Sequence, residues 1–242
     1  MSSKPILRLD WCSHQAAKYA VEHWHYSQKM PKSKLAKIGV WEDNRFIGVV
    51  IYGRGANNNI GSAYKVKQTE VCELVRIALT THTAPVSQIV ALAMRMLRKQ
   101  SPGVRLIVSY ADPAQDHHGG IYQAMNWTYT GTSWPQPVLL VAGKFVHKRV
   151  AFARWGTAST EAIHKMIGMK VERGPVEWKH TYLYPLDTAM REQIAPLAKP
   201  YPKRPRPESV DSDTSTFHVE EGSATLTSGL HGDTDRTLEA AR

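Results

Sequence analysis

The chain is poor in cysteine, in long apolar runs and, over its first 207 residues, in acidic side chains. Cys12 and Cys72 are the only cysteines, too few for a disulfide framework, so a reducing cytoplasm is the default compartment. No apolar stretch approaches the ~18 residues of a membrane-spanning helix. The opening MSSKPILRLDW lacks the apolar segment of a secretory signal, so no membrane partner is expected. There is no Walker loop, no glycine triplet after a strand, no cysteine-pair zinc site and no zinc-deaminase signature. Those absences remove the common nucleotide-hydrolysing, dinucleotide-binding and zinc-hydrolytic classes.

What remains is a basic globular protein. The formal charge is +10. Residues 208–242 hold eight acidic and two basic side chains, which leaves 29 Lys and Arg against 13 Asp and Glu in residues 1–207. The acidic end masks a body far more cationic than the whole. Such a surplus suits phosphate contact and makes nucleic acid the expected partner, although solvated surface lysines give the same count. From Tyr201 onward the chain is first proline-rich and basic, then rich in Ser, Thr, Gly and acid; it is expected to be a disordered tail on a domain of residues 1–200.

The body alternates strand and helix patterns. Ile6 to Trp11 reads as a strand, and Ser13 as the N-cap of a helix to about Trp24 with Ala16, Ala17, Ala20, Val21 and Trp24 on one stripe. Ile38–Trp41 and Phe46–Tyr52 flank Glu-Asp-Asn-Arg as a hairpin, and GRGANNNIGSAY reads as an exposed loop. Val71–Leu79, a helix from Pro85 to about Lys99 and Arg105–Tyr110 form a βαβ unit, so those two strands should be parallel. A short helix (Ile121–Trp127), strands at Val138–Val141, Phe145–Ala153 and Trp178–Leu186, and a helix near Thr160–Met169 follow. The class is a mixed α/β (α+β) fold with helices on both faces, and residues 132–177 look inserted. Ligands in such folds sit at the carboxyl ends of parallel strands, here near Thr80–Pro85 and Ser109–His118.

Three segments carry chemistry. VSYADPAQDHHGGIYQAMNW concentrates Ser109, Tyr110, Asp112, Asp116, His117, His118, Tyr122 and Asn126 just after a strand, as an active-site loop does. Asp112 before Pro113 also reads as a plain turn former. His117 and His118 are adjacent and make a poor metal pair; a metal such as iron is allowed by the histidines and not required by them. EHWHYSQKMPKSK places His25 as a candidate proton acceptor and Tyr26 as a candidate stacking residue. Lys29, Lys32 and Lys34 there, Arg54 in the Gly/Asn-rich loop, and Lys148 and Arg149 later are candidate phosphate contacts. Glu73 and Arg76 interrupt an apolar strand. Strict alternation puts them on opposite faces, so each needs its own partner, and Arg76 could take a phosphate or carboxylate or serve in a structural ion pair.

HYSQKMP (25–31), GVWEDNRFIGVVIYGRGA (39–56), ELVRIAL (73–79), SYADPAQDHHGGIYQAMNW (109–127) and WKHTYLYPLD (178–187) together resemble the Mom-like group of phage DNA modification proteins, within the GNAT N-acyltransferase fold. The resemblance spans most of residues 20–190. It implies an enzyme of the host-cell cytoplasm that converts adenine in double-stranded DNA to an N6-carbamoylmethyl form and so protects phage DNA from restriction. By motif match it implies His25, Tyr26, Arg76, Ser109, Asp112 and Tyr122 as catalytic residues. The loop TTHTAPVSQ lacks the glycine-rich cradle that grips coenzyme A in ordinary acyltransferases. That weakens acetyl-CoA as the donor and leaves a small acyl or aminoacyl donor of unknown identity. A coenzyme A-dependent N-acetyltransferase and a non-enzymatic DNA-binding module are the competing readings. The oligomeric state is not legible.

Overall fold

The computed structural model describes residues 4–55 and 59–203, without the side chains of Gln136, Pro137 and Arg149. All but the first three residues of the expected tail therefore lie outside the described residues. A seven-stranded sheet forms the body, from β1 (Leu7–Trp11), β2 (Leu35–Glu42), β3 (Arg45–Gly53), β4 (Val71–Leu79), β5 (Leu106–Ala111), β6 (Thr128–Thr132) and β10 (His180–Pro185), in the order β1-β2-β3-β4-β5-β10-β6. Only β4 and β5 are parallel; every other neighbour pair is antiparallel. This is the mixed α/β class expected from the alternation of patterns.

Local sequence explains the elements. Helix α1 (His14–Trp24) starts where the Ser13 hydroxyl accepts the Ala16 amide, and Ala17, Ala20 and Val21 are its buried stripe. The β2–β3 hairpin turns at Asp43 and Asn44, both left-handed (φ 50 and 65), the backbone that Asp and Asn tolerate. Helix α2 (Val86–Gln100) buries the stripe Ile89, Val90, Ala93, Met94 and Leu97, with Leu92 and Met96 half-buried at its margin. Helices α2 and α3 (Gly120–Ala124) cover one face of the sheet; α1 and α6 (Thr188–Ile194) cover the other.

Residues 136–177 build a second sheet, in the order β8 (Lys144–His147), β7 (Gln136–Val141), β9 (Val171–Glu177). Helices α4 (Lys148–Trp155) and α5 (Thr160–Ile167) pack on it through Leu139, Val141, Ala151 and Ile163. The strand expected over Phe145–Ala153 is corrected here: it ends at His147, and a helix follows. Gly156 stops that helix in the left-handed conformation (φ 71), its amide bonded to the Phe152 carbonyl. The short helix α3 ends at Ala124, because Asn126 is left-handed (φ 56) and turns the chain so that Trp127 is fully buried. In the loop expected to be exposed, Ile60 and Gly61 are buried, and residues 56–58 lie outside the described residues. Strands β6 and β9 and helix α6 have no counterpart in the sequence reading.

Candidate functional site

The site begins with one extra residue. The β3–β4 ladder pairs Gly53 with Glu73 and Tyr52 with Leu74, then passes over Val75 and pairs Ile51 with Arg76. Val75 is a β-bulge, and it shifts the alternation of everything after it. Gly53 and Ile51 share a face, so Glu73 and Arg76 do too. The expectation of opposite faces is thus corrected, and the carboxylate of Glu73 helps hold the Arg76 charge that burial opposes. The bulge also ends the parallel ladder. Strands β4 and β5 are in register only from Val71–Leu106 to Glu73–Val108, although both run further.

Past that point the strands part, and the carbonyls set free are taken up by side chains. The Ser109 hydroxyl donates to the Leu74 carbonyl (2.9 Å), and the Arg76 Nη1 donates to the Val75 carbonyl (2.8 Å). Ser109 has one proton, spent on Leu74, so Tyr122 must donate its hydroxyl to the Ser109 oxygen at 2.7 Å. Burial pushes the Tyr122 phenol up to about 12, so it stays protonated in this role. Ser109 is thereby a clamp across the fork rather than a free nucleophile.

The fork opens into a cleft of about 310 Å³ lined by Trp24, His25, Tyr26, residues 74–77, Leu79, His82, Val86, Tyr110, His117, Ile121 and Tyr122. Among the described residues, Arg76 is its one Lys or Arg, and no Asp or Glu lines it. The Arg76 Nε is buried with no hydrogen-bond partner among the described residues. A guanidinium in half-apolar walls with an uncommitted N–H is suited to an anion or an electronegative carbonyl. The His25 ring lies on the Tyr26 ring (centroids 4.3 Å), and Tyr26 meets the edge of His117 (5.6 Å). The His25 Nδ1 accepts the Ser27 amide at 3.0 Å, with the Ser27 hydroxyl 2.9 Å away. Tyr26 is half exposed at the rim, where a flat ring can meet another.

Four of the six expected catalytic residues, His25, Tyr26, Arg76 and Tyr122, meet in this cleft, with Ser109 bonded behind Tyr122. Asp112 does not line it. Its carboxylate pairs with Lys179 (3.0 Å) and caps the Ala114 amide (3.1 Å), which ties the site loop to the strand returning from the second sheet. His117 lines the cleft; His118 instead offers its carbonyl to the Tyr182 hydroxyl (2.6 Å), and Asn126 is a turn residue. Lys29, Lys32, Lys34, Arg54 and Lys148 are exposed, and the Arg149 side chain lies outside the described residues. No three His, Cys, Asp or Glu side chains gather as a metal-binding group among the described residues.

His82 went unrecognised in the sequence. It stands in the β4–α2 loop, within the Thr80–Pro85 window where a parallel strand should deliver a site, and its Nδ1 lies 2.8 Å from the Ala84 carbonyl. That loop is pinned. The Thr80 amide bonds the Ile47 carbonyl, Arg45 donates to the Thr81 carbonyl (2.7 Å), and buried Glu42 accepts from the Thr83 (2.9 and 3.1 Å) and Ala84 (2.7 Å) amides.

Two predictions arise here. Burial, then the nearby charges of Arg76 and His117, lower His25 to about 4. An unfolded histidine titrates near 6.5. Between those values the unfolded chain binds a proton that the folded one refuses, so stability is full above about 6.5 and falls as pH drops toward 4. Melting temperatures of His25→Gln should decline less over that window than those of the parent. Gly119, just before α3, has φ 86, and a Cβ there would overlap the Tyr182 ring. Gly119→Ala should therefore lose about 2–4 kcal/mol in a denaturant titration, from left-handed strain plus overpacking.

The strand order, the single parallel pair and the fork define a mixed α/β protein with an open cleft between diverging strands. The chain belongs to the Mom protein family, whose profile matches residues 6–203. A relative, the methylcarbamoylase Mom of Escherichia phage Mu, is 25% identical over 130 residues, covering 52% of this chain and 54% of that protein. The chain thus spans about half the length of that relative. Among solved structures, one assigned as an acetyltransferase from Acinetobacter baylyi ADP1 is 13% identical with a TM-score of 0.43, over 78% of this chain and 96% of the other. The N-acyl amino acid synthase FeeM from uncultured soil microbes is 12% identical with a TM-score of 0.43, over 78% and 94%.

Proposed function

We propose that the chain transfers a small acyl or aminoacyl-derived group to the N6 amine of adenine in double-stranded DNA, leaving an N6-carbamoylmethyl adenine that host restriction enzymes do not cut. The observation that carries this reading is the cleft: in a chain of the Mom family, it is half-apolar, holds Arg76 as its one Lys or Arg, and has Tyr26 at its rim. The adenine amine is a weak nucleophile, its lone pair spread into the ring. It needs an extruded base, a dry site and removal of a proton as the new bond forms. In this reading Tyr26 stacks the extruded base and Arg76 neutralises charge growing on the donor as its leaving group departs.

The surface agrees with a duplex substrate. The second sheet and its stems carry exposed Lys144, Lys148, Arg154 and Lys170 beside exposed Trp134, Phe145 and Phe152. Cations among exposed rings follow a phosphate backbone, and their affinity should fall steeply with salt. The coenzyme A reading fits less well. The amides of Thr83 and Ala84, just before α2, would be natural donors to a pyrophosphate, but the Glu42 carboxylate already accepts from both.

The test is direct. Plasmid DNA from bacteria expressing the chain should contain a deoxyadenosine heavier by the carbamoylmethyl increment in mass spectrometry and should resist adenine-containing restriction sites. Unaltered deoxyadenosine, together with tight coenzyme A binding, would select the alternative acetyltransferase.

A further inference from the structure

Three imidazoles line the cleft, His25, His82 and His117; the hydrogen bonds that fix the first two are opposite, while the His117 ring makes no side-chain hydrogen bond among the described residues and packs against Tyr26 (5.6 Å). At His25, Nδ1 accepts the Ser27 backbone amide (3.0 Å), so this nitrogen carries no proton and the neutral ring bears its hydrogen on Nε2. At His82, Nδ1 faces the Ala84 carbonyl at 2.8 Å. A carbonyl only accepts, so Nδ1 must be the protonated nitrogen and Nε2 keeps a lone pair. Neither Nε2 has a protein hydrogen-bond partner among the described residues.

We infer that His82 is the proton acceptor of the cleft and that His25 is its hydrogen-bond donor, a division that rests on the reading of the chain as a DNA adenine modifier. Of the three imidazoles, His82 alone has its Nδ1 proton fixed by a backbone carbonyl so that an Nε2 lone pair is held ready; His25 is fixed the other way, and His117 has no such anchor among the described residues. No carboxylate lines the cleft, Ser109 and Tyr122 are committed to each other, and Asp112 is held by Lys179. The His82 ring is also well fixed, because its loop is tied down at Thr80, Thr81, Thr83 and Ala84. A base held on a rigid loop with its second nitrogen anchored loses little by reorganisation at the moment of reaction.

In the step this serves, the adenine N6 shares its lone pair with the electrophilic carbon of an activated donor, and an N–C bond forms. The donor's bond to its leaving group breaks, with the electron pair going to that group. The N6 proton passes to the His82 Nε2. For a carbamoylmethyl product the carbon attacked is the donor's methylene, and the His25 Nε2–H and Arg76 face the leaving group, where negative charge gathers. The imidazolium then returns its proton to the leaving group or to water.

Two measurements test the assignment. In the first, His82→Gln keeps a donor for the Ala84 carbonyl but cannot act as a base. The modification rate should fall at least ~100-fold, as loss of a general base does, with melting temperature and duplex affinity unchanged. Added imidazole should restore part of the rate to His82→Ala. A His82→Gln rate within threefold of the parent would overturn the inference, whereas a parent that modifies no DNA would overturn the functional reading instead. The second needs no substrate. Nitrogen-15 spectra of the side chains at pH 7.5 should show His25 protonated at Nε2 and His82 at Nδ1. The same tautomer at both positions would refute the division of roles whatever the chain acts on.

Discussion

Exchanging Arg76 for alanine should lower adenine modification of plasmid DNA by about 100-fold or more, the usual cost of removing one preorganised charge donor. Arg76 is the only Lys or Arg lining the cleft among the described residues, and its Nε is turned inward without a partner. Arg76→Lys keeps the charge but not the planar fork that meets both the Val75 carbonyl and a ligand, so it should recover only a small part of the rate. Stability should change far less than activity. The one hydrogen bond lost is worth about 1 kcal/mol. Quantifying modified deoxyadenosine alongside a thermal melt separates the two effects. Full modification by a folded Arg76→Ala protein would remove Arg76 from the site.

Glu42→Ala acts the other way round. Glu42 is buried at the end of β2, and its two oxygens hold the amides of Thr83 and Ala84 across 41 and 42 residues of chain. The variant leaves the buried Ala84 amide unpaired and frees the Thr83 amide. Unmet buried groups cost about 1–3 kcal/mol each, so a loss near 3 kcal/mol is expected. For a folded body of this size that corresponds to a melting temperature lower by roughly 6–12 °C. Because the same contacts fix the loop that bears His82, activity should fall below what the lost stability alone explains, and it should do so at temperatures well under the melt. A variant that melts with the parent would show that the loop is held by other means.

What the sequence disclosed and what it withheld divide along the range of the interactions involved. The Ser13 cap, the Asp43-Asn44 turn and the βαβ unit are written in neighbouring residues, and the structure has each of them. The bulge at Val75 has no such mark. No glycine or proline announces it, and so the faces of Glu73 and Arg76 were misassigned. Strand β9, VERGPVE, is a half-exposed edge whose charges read as loop, although charged edges are how sheets avoid pairing further. In the Phe145–Ala153 segment apolar and basic residues alternate well enough to mimic a strand, and the helix stop at Gly156 was the overlooked signal. In the site, HYS, ELVR and IYQA delivered residues that do come together. His82 was missed because one histidine among threonines has no spacing to recognise. The Asp112–Lys179 pair lies beyond any local pattern.

The bulge has an arithmetic consequence. Deleting Val75 would join Leu74 directly to Arg76 and leave every side chain of β4 on the face it now occupies, so the hydrophobic core would not notice the loss. What would vanish is the reason for the strands to separate. The Leu74 carbonyl could rejoin the ladder, the register with β5 could extend past Glu73, and the gap now lined by His25, Arg76 and His82 would zip shut. The shortened chain should melt at or above the parent temperature and modify nothing. On the proposed reading, the capacity to react comes from one residue inserted into a strand that would be more regular without it.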